Sequence, residues 1–564
     1  MFKYFLIIAL LFFNSIQSET LNTKDKNLYK KIFEQFRKGD FAKGENNIAK
    51  LENDILLGHV EALKLLHPTK HRSSFLELKN WLYKYNDHYE STRIYKLGVR
   101  RMPEGGKSPK KPSPPILEKK YLTKTKDKNN KSNGASKIFT KKNYSKKISI
   151  YNTIRSRVGR GWPTGALEYF NQNEKMFSDS EKSFLLSKIS NGYYLANLDD
   201  KAIKTLKSQA FRNFPYSEGL WIKGLSHYRK KEYEKSSKSF LILSKIANNN
   251  WLASAGAYWS FISSSKMQNK TDNIKSSIEA LEKTCQKPYN LYSLLSCFLI
   301  NKPIVITNGK EFKNLNENYD EFSITKLGQR INALLEINEI GIAEFEINRA
   351  QKISNDSFKK IILSFAINND LSSMQIKTTK SLFGELADIN LLYPSPKWID
   401  NFNINGIDKN IVIGVIRQES QFSAFAKSGK SAYGLMQVLP STAKMMDRKK
   451  NFLGNRRLLF DPSINVNVGT KYIKSLLSIN YIKGDLLKTL ISYNAGPGNL
   501  SKWSKKITYN DDSFLLIESI PSRETRLFVE RVLTNIIIYE YLNNQSAYYA
   551  KQLVETNTII LNYD

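Results

Sequence analysis

Asp408 to Gln437 read DKNIVIGVIRQESQFSAFAKSGKSAYGLMQ. Asp408 has a side chain suited to N-capping, so a helix is predicted from Lys409 to about Ser420. Val412, Val415 and Ile416 stand seven, four and three positions before Glu419. Helical periodicity therefore puts Glu419 on the apolar face, which normally points into a core. Desolvation there disfavours the charged carboxylate, and the negative end of the helix dipole acts in the same sense. A carboxyl group so placed keeps its proton near neutral pH, as a general acid must. The competing reading is an ordinary salt bridge, to Arg417 or Lys427.

Downstream segments weigh against the ordinary reading. Gly434-Leu435-Met436-Gln437 is followed by Leu439-Pro440-Ser441-Thr442-Ala443, which opens another helix. Asp461-Pro462-x-x-Asn465-x-x-x-Gly469 comes next, then Tyr493-Asn494-Ala495-Gly496, then Glu518-Ser519-Ile520-Pro521-x-x-Glu524-Thr525-Arg526. Singly these are turns, caps and core residues; Asp461 and Asp485 are expected only to cap helices, and Glu524 with Arg526 to form a structural pair. All five histidines (His59, His67, His71, His88 and His227) and both cysteines lie upstream of Tyr393-Pro394-Ser395-Pro396. The C-terminal region therefore holds no Ser-His-Asp triad, no Cys-His pair and no histidine-based zinc site. Its chemistry must come from carboxylates, tyrosines, lysines or hydroxyls.

In order and spacing, the segments over 405–535 closely resemble the soluble lytic transglycosylases. That resemblance implies a goose-type lysozyme-like, mainly α catalytic domain acting on peptidoglycan. Glu419 would donate a proton to the β-1,4 bond between N-acetylmuramic acid and N-acetylglucosamine. It would then serve as base while the muramyl 6-hydroxyl closes a 1,6-anhydro ring without water. Ser428, Met436, Gln437, Tyr493, Asn494 and Glu518 would line the saccharide groove. No cofactor and no metal are implied. One rival is a hydrolase of the same fold, with Glu518 as the best second carboxylate. Another is a non-enzymatic helical-repeat scaffold that binds the wall.

The remaining chain reads as all-α. Residues 24–102 predict helices, with a hairpin break at Lys38-Gly39-Asp40. Trp221-x-x-Gly224-Leu225-x-x-Tyr228 and Ser236-x-x-x-Phe240 are close to the tetratricopeptide pattern, so an irregular α-superhelix of such hairpins is expected before the lysozyme-like domain. The expected order is a signal peptide over 1–18, a first superhelical segment over 19–102, a linker over 103–147, the α-superhelix over 148–395 and the catalytic domain over 396–564. Lys3, the apolar run from Phe5 to Phe13 and a small residue beyond it carry the signal-peptide reading, and with it export to a Gram-negative type periplasm. Cys285 and Cys297 could bridge neighbouring helices; two buried thiols are the expectation taken here.

The formal net charge of +35 invites a nucleic-acid partner. Much of the excess is concentrated, however: residues 101–150 hold 15 Lys/Arg against 3 Asp/Glu, interleaved with five prolines. Such a stretch reads as solvated linker. No nucleic acid is expected. The expected partner is the peptidoglycan strand, with peripheral contact to anionic wall or membrane surface left open, and the expected state is a monomer.

Overall fold

The computed structural model describes residues 19–122, 138–267, 271–305 and 319–562. The expected signal peptide lies outside them, as does residue range 123–137 of the expected linker. Among the described residues the chain is built of helices, with isolated bridges such as Lys427–Tyr433 and Tyr433–Val438 in place of any sheet. The all-α class expected from sequence is the class observed. The chain gathers into two compact units, Met1–Lys126 with Phe312–Met374 and Asp127–Glu311 with Gln375–Asp564. Among the described residues, 319–374 fall in the same unit as the N-terminal segment.

In the first unit, helices Thr23–Lys38 and Phe41–Ile48 form the hairpin expected at Lys38-Gly39-Asp40. Tyr29, Ile32, Phe33 and Phe36 enter one core with Ile331, Leu334, Ile347 and Phe358. Beside it lies a buried polar network. His59 Nδ1 lies 2.9 Å from Glu90 Oε1, and Arg330 donates to Glu346 at 2.8 Å and to Asp87 at 3.0 Å. His59, Glu90 and Glu346 also group closely enough to hold a cation. Arg330 already supplies positive charge to Glu346, so the network reads as a structural ion-pair cluster.

Several described residues of the expected linker are attached to the first unit. Pro109 and Pro115 are buried, Ser113 N donates to Asn86 O at 3.0 Å, and Arg349 donates to Ser113 O. The Tyr121 ring packs 4.9 Å from that of Phe358, and Asn355 N donates to Tyr121 O. From Tyr144 the chain is helical to Gly159, with Lys147 buried 2.7 Å from Glu181. Proline content misleads here. Prolines fix φ in advance, so an extended segment loses little entropy when a few contacts hold it.

The second unit carries the repeat-like helices and the C-terminal region. Helices Ser217–Arg229, Tyr233–Ile246 and Asn250–Ser265 pack through small residues at their crossings. Buried serines fasten these crossings: Ser236 to Ser263 at 3.0 Å, Ser237 to Ser264 at 2.7 Å and Ser260 to Ser277 at 2.8 Å. Trp221, Phe240 and Trp259 fill the spaces that remain. The expectation of two free thiols is overturned, since Cys285 and Cys297 form a disulfide joining the end of helix Thr271–Thr284 to helix Leu291–Leu299. Twelve residues separate them in sequence, a span that brings helix ends together across one tight connection.

Denatured, unreduced protein from an oxidising compartment should therefore show no titratable thiol. Cys297→Ser should lower the stability of the second unit by about 3 kcal/mol, read as a fall in Tm under non-reducing conditions. Equal Tm values with and without reductant would contradict the cross-link.

Candidate active site

The helix Lys409–Ser420 starts as expected, with the Asp408 carboxylate accepting from Asn410 N at 2.7 Å. Ile411, Val412, Ile413, Val415 and Ile416 are fully buried. The helix lies against Arg523–Leu542, and the crossing falls at Gly414, where an added Cβ would come within 2.9 Å of Ile536 Cγ1. Asn535 Nδ2 donates to Gly414 O at 3.0 Å, and Asn535 Oδ1 accepts from Arg417 at 2.8 Å. Arg417 also donates to Leu392 O and stacks over Tyr393, its guanidinium 3.5 Å from the ring centre. Lys427 lies over the Tyr433 ring. Both cations proposed as salt-bridge partners for Glu419 are thus used elsewhere.

Glu419 sits in the last turn, where Gln421 and Phe422 end the helix in the left-handed region at φ 49° and 63°. No ion pair or hydrogen bond reaches its carboxylate among the described residues. Burial, and then the Glu524 carboxylate, push its pKa from near 4.5 up to about 8. Glu524 is exposed and lies 3.4 Å from Lys430, not paired with Arg526 as the sequence suggested.

The Gly434–Gln437 segment forms a tight turn beside this helix. Gly434 has φ +76°, and a Cβ there would fall 2.1 Å from Leu459 O, so the position tolerates no side chain. One residue fastens the turn. Asn465, fully buried, accepts from Met436 N and donates to Tyr433 O and Leu459 O, each at 2.8 Å. Gln437, itself at φ 47°, donates from its amide to Ala426 O and Gly434 O. Met436 is fully buried against Gly469, so its side chain belongs to the core and presents no face to a groove. Ser428 accepts from Ala432 N at 3.0 Å within the preceding turn.

Tyr493 joins three motifs. Its hydroxyl donates to Met436 O at 2.7 Å, and its ring stacks on Phe528 at 6.2 Å with planes 5° apart. Burial, then the neighbouring Glu419 carboxylate, raise its pKa well above the usual tyrosine value. Asn494 accepts from Thr525 at 2.9 Å, tying the Tyr-Asn-Ala-Gly turn to the Glu-Thr-Arg segment. Asp461 and Asp485 cap helices, as expected.

Glu518 stands apart from this cluster. It is buried, accepts from the Tyr292 hydroxyl, and its pKa is raised by burial. Nearby, Trp251 Nε1 donates to Glu530 at 2.6 Å. Both carboxylates border a cavity of about 1100 Å³, together with Trp221, Tyr289 and Arg523. Glu524, not Glu518, is the carboxylate that acts on Glu419. Sequence reasoning gave Asn465 no role, although its position four residues before Gly469 on one helix was the available signal.

Residues 397–514 match the family model described as the transglycosylase SLT domain. The soluble lytic murein transglycosylase of Escherichia coli K12 is 32% identical over 137 residues, which cover 24% of this chain and 21% of the relative. A putative soluble lytic murein transglycosylase of Haemophilus influenzae is 33% identical over 144 residues, 25% of this chain and 24% of its own length. The matched stretch thus spans about a fifth to a quarter of these curated relatives. Among solved structures, the 70 kDa soluble lytic transglycosylase of Escherichia coli is similar at a TM-score of 0.54 and 15% identity, over 95% of this chain and 99% of that chain. An inactive variant of the lytic transglycosylase Slt of Pseudomonas aeruginosa is similar at 0.55 and 17%, over 93% and 82%. At these identities the likeness is one of fold.

Asn465→Ala should cost about 3 kcal/mol or more in denaturant unfolding, because it strands three buried backbone groups together. Asn465→Asp should fare no better, since its oxygens would face two carbonyls. A change below about 1 kcal/mol in both would show that the turn does not depend on this residue.

Proposed function

We propose that the chain is a lytic transglycosylase that cleaves the β-1,4 bond between N-acetylmuramic acid and N-acetylglucosamine of peptidoglycan and leaves 1,6-anhydromuramic ends. The observation that carries this reading is Glu419: a carboxyl group without a cationic partner, in an SLT domain, whose proton is held to about pH 8. Glu419 donates that proton to the glycosidic oxygen as the bond to C1 breaks, and the N-acetyl oxygen of the muramic acid bonds to C1. The Glu419 carboxylate then takes the proton of the 6-hydroxyl, O6 bonds to C1, and the N-acetyl oxygen leaves. Glu419 ends protonated, and no water is consumed. One group serves both steps because the substrate supplies nucleophile and acceptor. Tyr493 and Asn465 hold the Gly434–Gln437 turn. Gln437, Ser428 and Asn494 lie along the same turns, and Glu518 would act from the cavity side.

Export is part of this reading. The Cys285–Cys297 disulfide suits an oxidising compartment, and the substrate lies outside the cytoplasm. Among the described residues no helix is long and apolar enough to cross a membrane.

Glu419→Gln should fold normally and lose on the order of 10²–10⁴-fold in cleavage of purified cell wall. Cleavage within tenfold of the parent would remove Glu419 from its role. Mass spectrometry of the products should show muropeptides lighter by one water than hydrolytic products. Label from heavy-oxygen water at C1 would instead establish a hydrolase, with Glu524 as the carboxylate to test first.

The pH dependence follows from the raised pKa of Glu419. kcat/KM should fall about tenfold per pH unit above about 8, as the acid loses its proton. Stability shifts with the same sign. The folded state holds this proton more tightly than the unfolded chain does, so the contribution is complete below about 4.5 and is lost as pH rises to about 8. The Tm advantage of Glu419→Gln over the parent should therefore be larger at pH 8 than at pH 5. An advantage independent of pH would mean that Glu419 is ionised throughout.

A further inference from the structure

Between Lys397 and Leu542 four large apolar side chains are exposed among the described residues: Leu439, Met445, Leu453 and Tyr481. Three of them fall in the excursion that joins the Gly434–Gln437 turn to the helix Pro462–Leu477. Leu439 is 41% exposed, Met445 56% and Leu453 57%. Scattered apolar residues on a surface are ordinary; their concentration in one segment is not. The segment is also anchored. Ala443, Phe452 and Leu459 are completely buried, so the exposed side chains project from fixed points of attachment.

The same excursion is strongly cationic. Residues 444–457 carry Lys444, Arg448, Lys449, Lys450, Arg456 and Arg457 against the single acid Asp447. Arg456 lies at the Tyr433 hydroxyl and lowers its pKa, Lys444 donates to Arg448 O, and Lys450 is 4.0 Å from Asp447. Arg448, Lys449 and Arg457 have no ion-pair partner among the described residues. A soluble polyanion would satisfy these cations and leave Met445 and Leu453 in water. A bilayer surface satisfies both, because anionic headgroups meet the cations while short apolar side chains enter the layer beneath.

We propose that residues 439–457 form a docking surface for an anionic phospholipid bilayer and hold the SLT domain against it. The surface acts independently of the catalytic carboxyl group: none of Met445, Leu453, Arg448, Lys449 or Arg457 contributes to the contacts around Glu419 described above. Each cation near a charged bilayer adds roughly 1 kcal/mol, so removing three should weaken binding on the order of a hundredfold at low salt. The effect should fade as salt screens charges beyond ~8 Å.

The test uses the full chain and vesicles of phosphatidylcholine, with or without phosphatidylglycerol, read by co-sedimentation. The parent should partition onto phosphatidylglycerol-containing vesicles and not onto phosphatidylcholine alone. Arg448→Gln/Lys449→Gln/Arg457→Gln should lose most of that binding, and Met445→Ser/Leu453→Ser should lose roughly tenfold. Both variants should keep the parent's Tm and its cleavage of short soluble glycans, which separates this proposal from the catalytic one. A parent that ignores phosphatidylglycerol overturns the proposal. So do charge variants that bind as well as the parent, which would place the attraction elsewhere on this basic chain. If only the charge variants weaken binding, the surface holds a polyanion at its periphery and does not enter a bilayer.

Discussion

The geometry of the candidate active site depends on one close crossing, that of helix Lys409–Ser420 over helix Arg523–Leu542 at Gly414. With no side chain at that point, Asn535 reaches the backbone of the first helix and, at the same time, the Arg417 guanidinium. Arg417 is thereby drawn toward Leu392 O and the Tyr393 ring. A cation two positions from a carboxylate on the same helix is thus held away from it. The acidity of Glu419 follows from that displacement. Burial raises its pKa, and the charged group that acts on it is another acid, Glu524. Desolvation and like charge act in one direction, as they do in known catalytic acids.

Around this helix the remaining motifs behave as a scaffold of turns with few contacts to spare. Asn465 binds three backbone groups, Tyr493 closes on Met436 O, and Asn494 meets Thr525. Each bond joins segments far apart in sequence, and each polar group involved has little alternative to its partner. Such networks specify one arrangement because partial satisfaction is costly. Several residues bordering the site adopt left-handed backbone conformations without being glycine, namely Gln421, Phe422, Ser431 and Gln437. Their concentration within seventeen positions marks a locally strained region of the kind that functional sites retain.

Much of this was legible in the amino-acid sequence. The apolar spacing before Glu419 foretold the burial of Val412, Val415 and Ile416, and the caps at Asp408, Asp461 and Asp485 were read from residue type alone. The hairpin at Lys38-Gly39-Asp40 followed from its break in apolar periodicity. What was not legible depends on distance in space. Met436 fits a sugar-stacking role by residue type, yet Gly469 leaves room only for that side chain to bury. The motif around Glu518 gives no sign that Tyr292 reaches it from a helix more than two hundred positions earlier. The cysteine pair could not be settled without knowing how two helix ends meet. The basic segment after Arg101 misled for another reason: composition reports how costly a chain is to order, not whether a neighbour such as Arg349 or Phe358 holds it.

The hydrogen bonds from Tyr292 to Glu518 and from Trp251 to Glu530 bear on how this chain could be taken apart. In the intact second unit, the preceding helices cover two carboxyl groups of the C-terminal region and satisfy them. A fragment beginning near Pro396 would carry both groups without those partners, together with the apolar surface of Phe514 that Tyr258 and Trp259 now cover. Minimising the chain to its SLT region is therefore a redesign problem. The carboxylates at 518 and 530 would have to become amides or be repacked, and the exposed aromatic seat would need polar replacements. The C-terminal half is shaped on the assumption that its helical neighbour is always present.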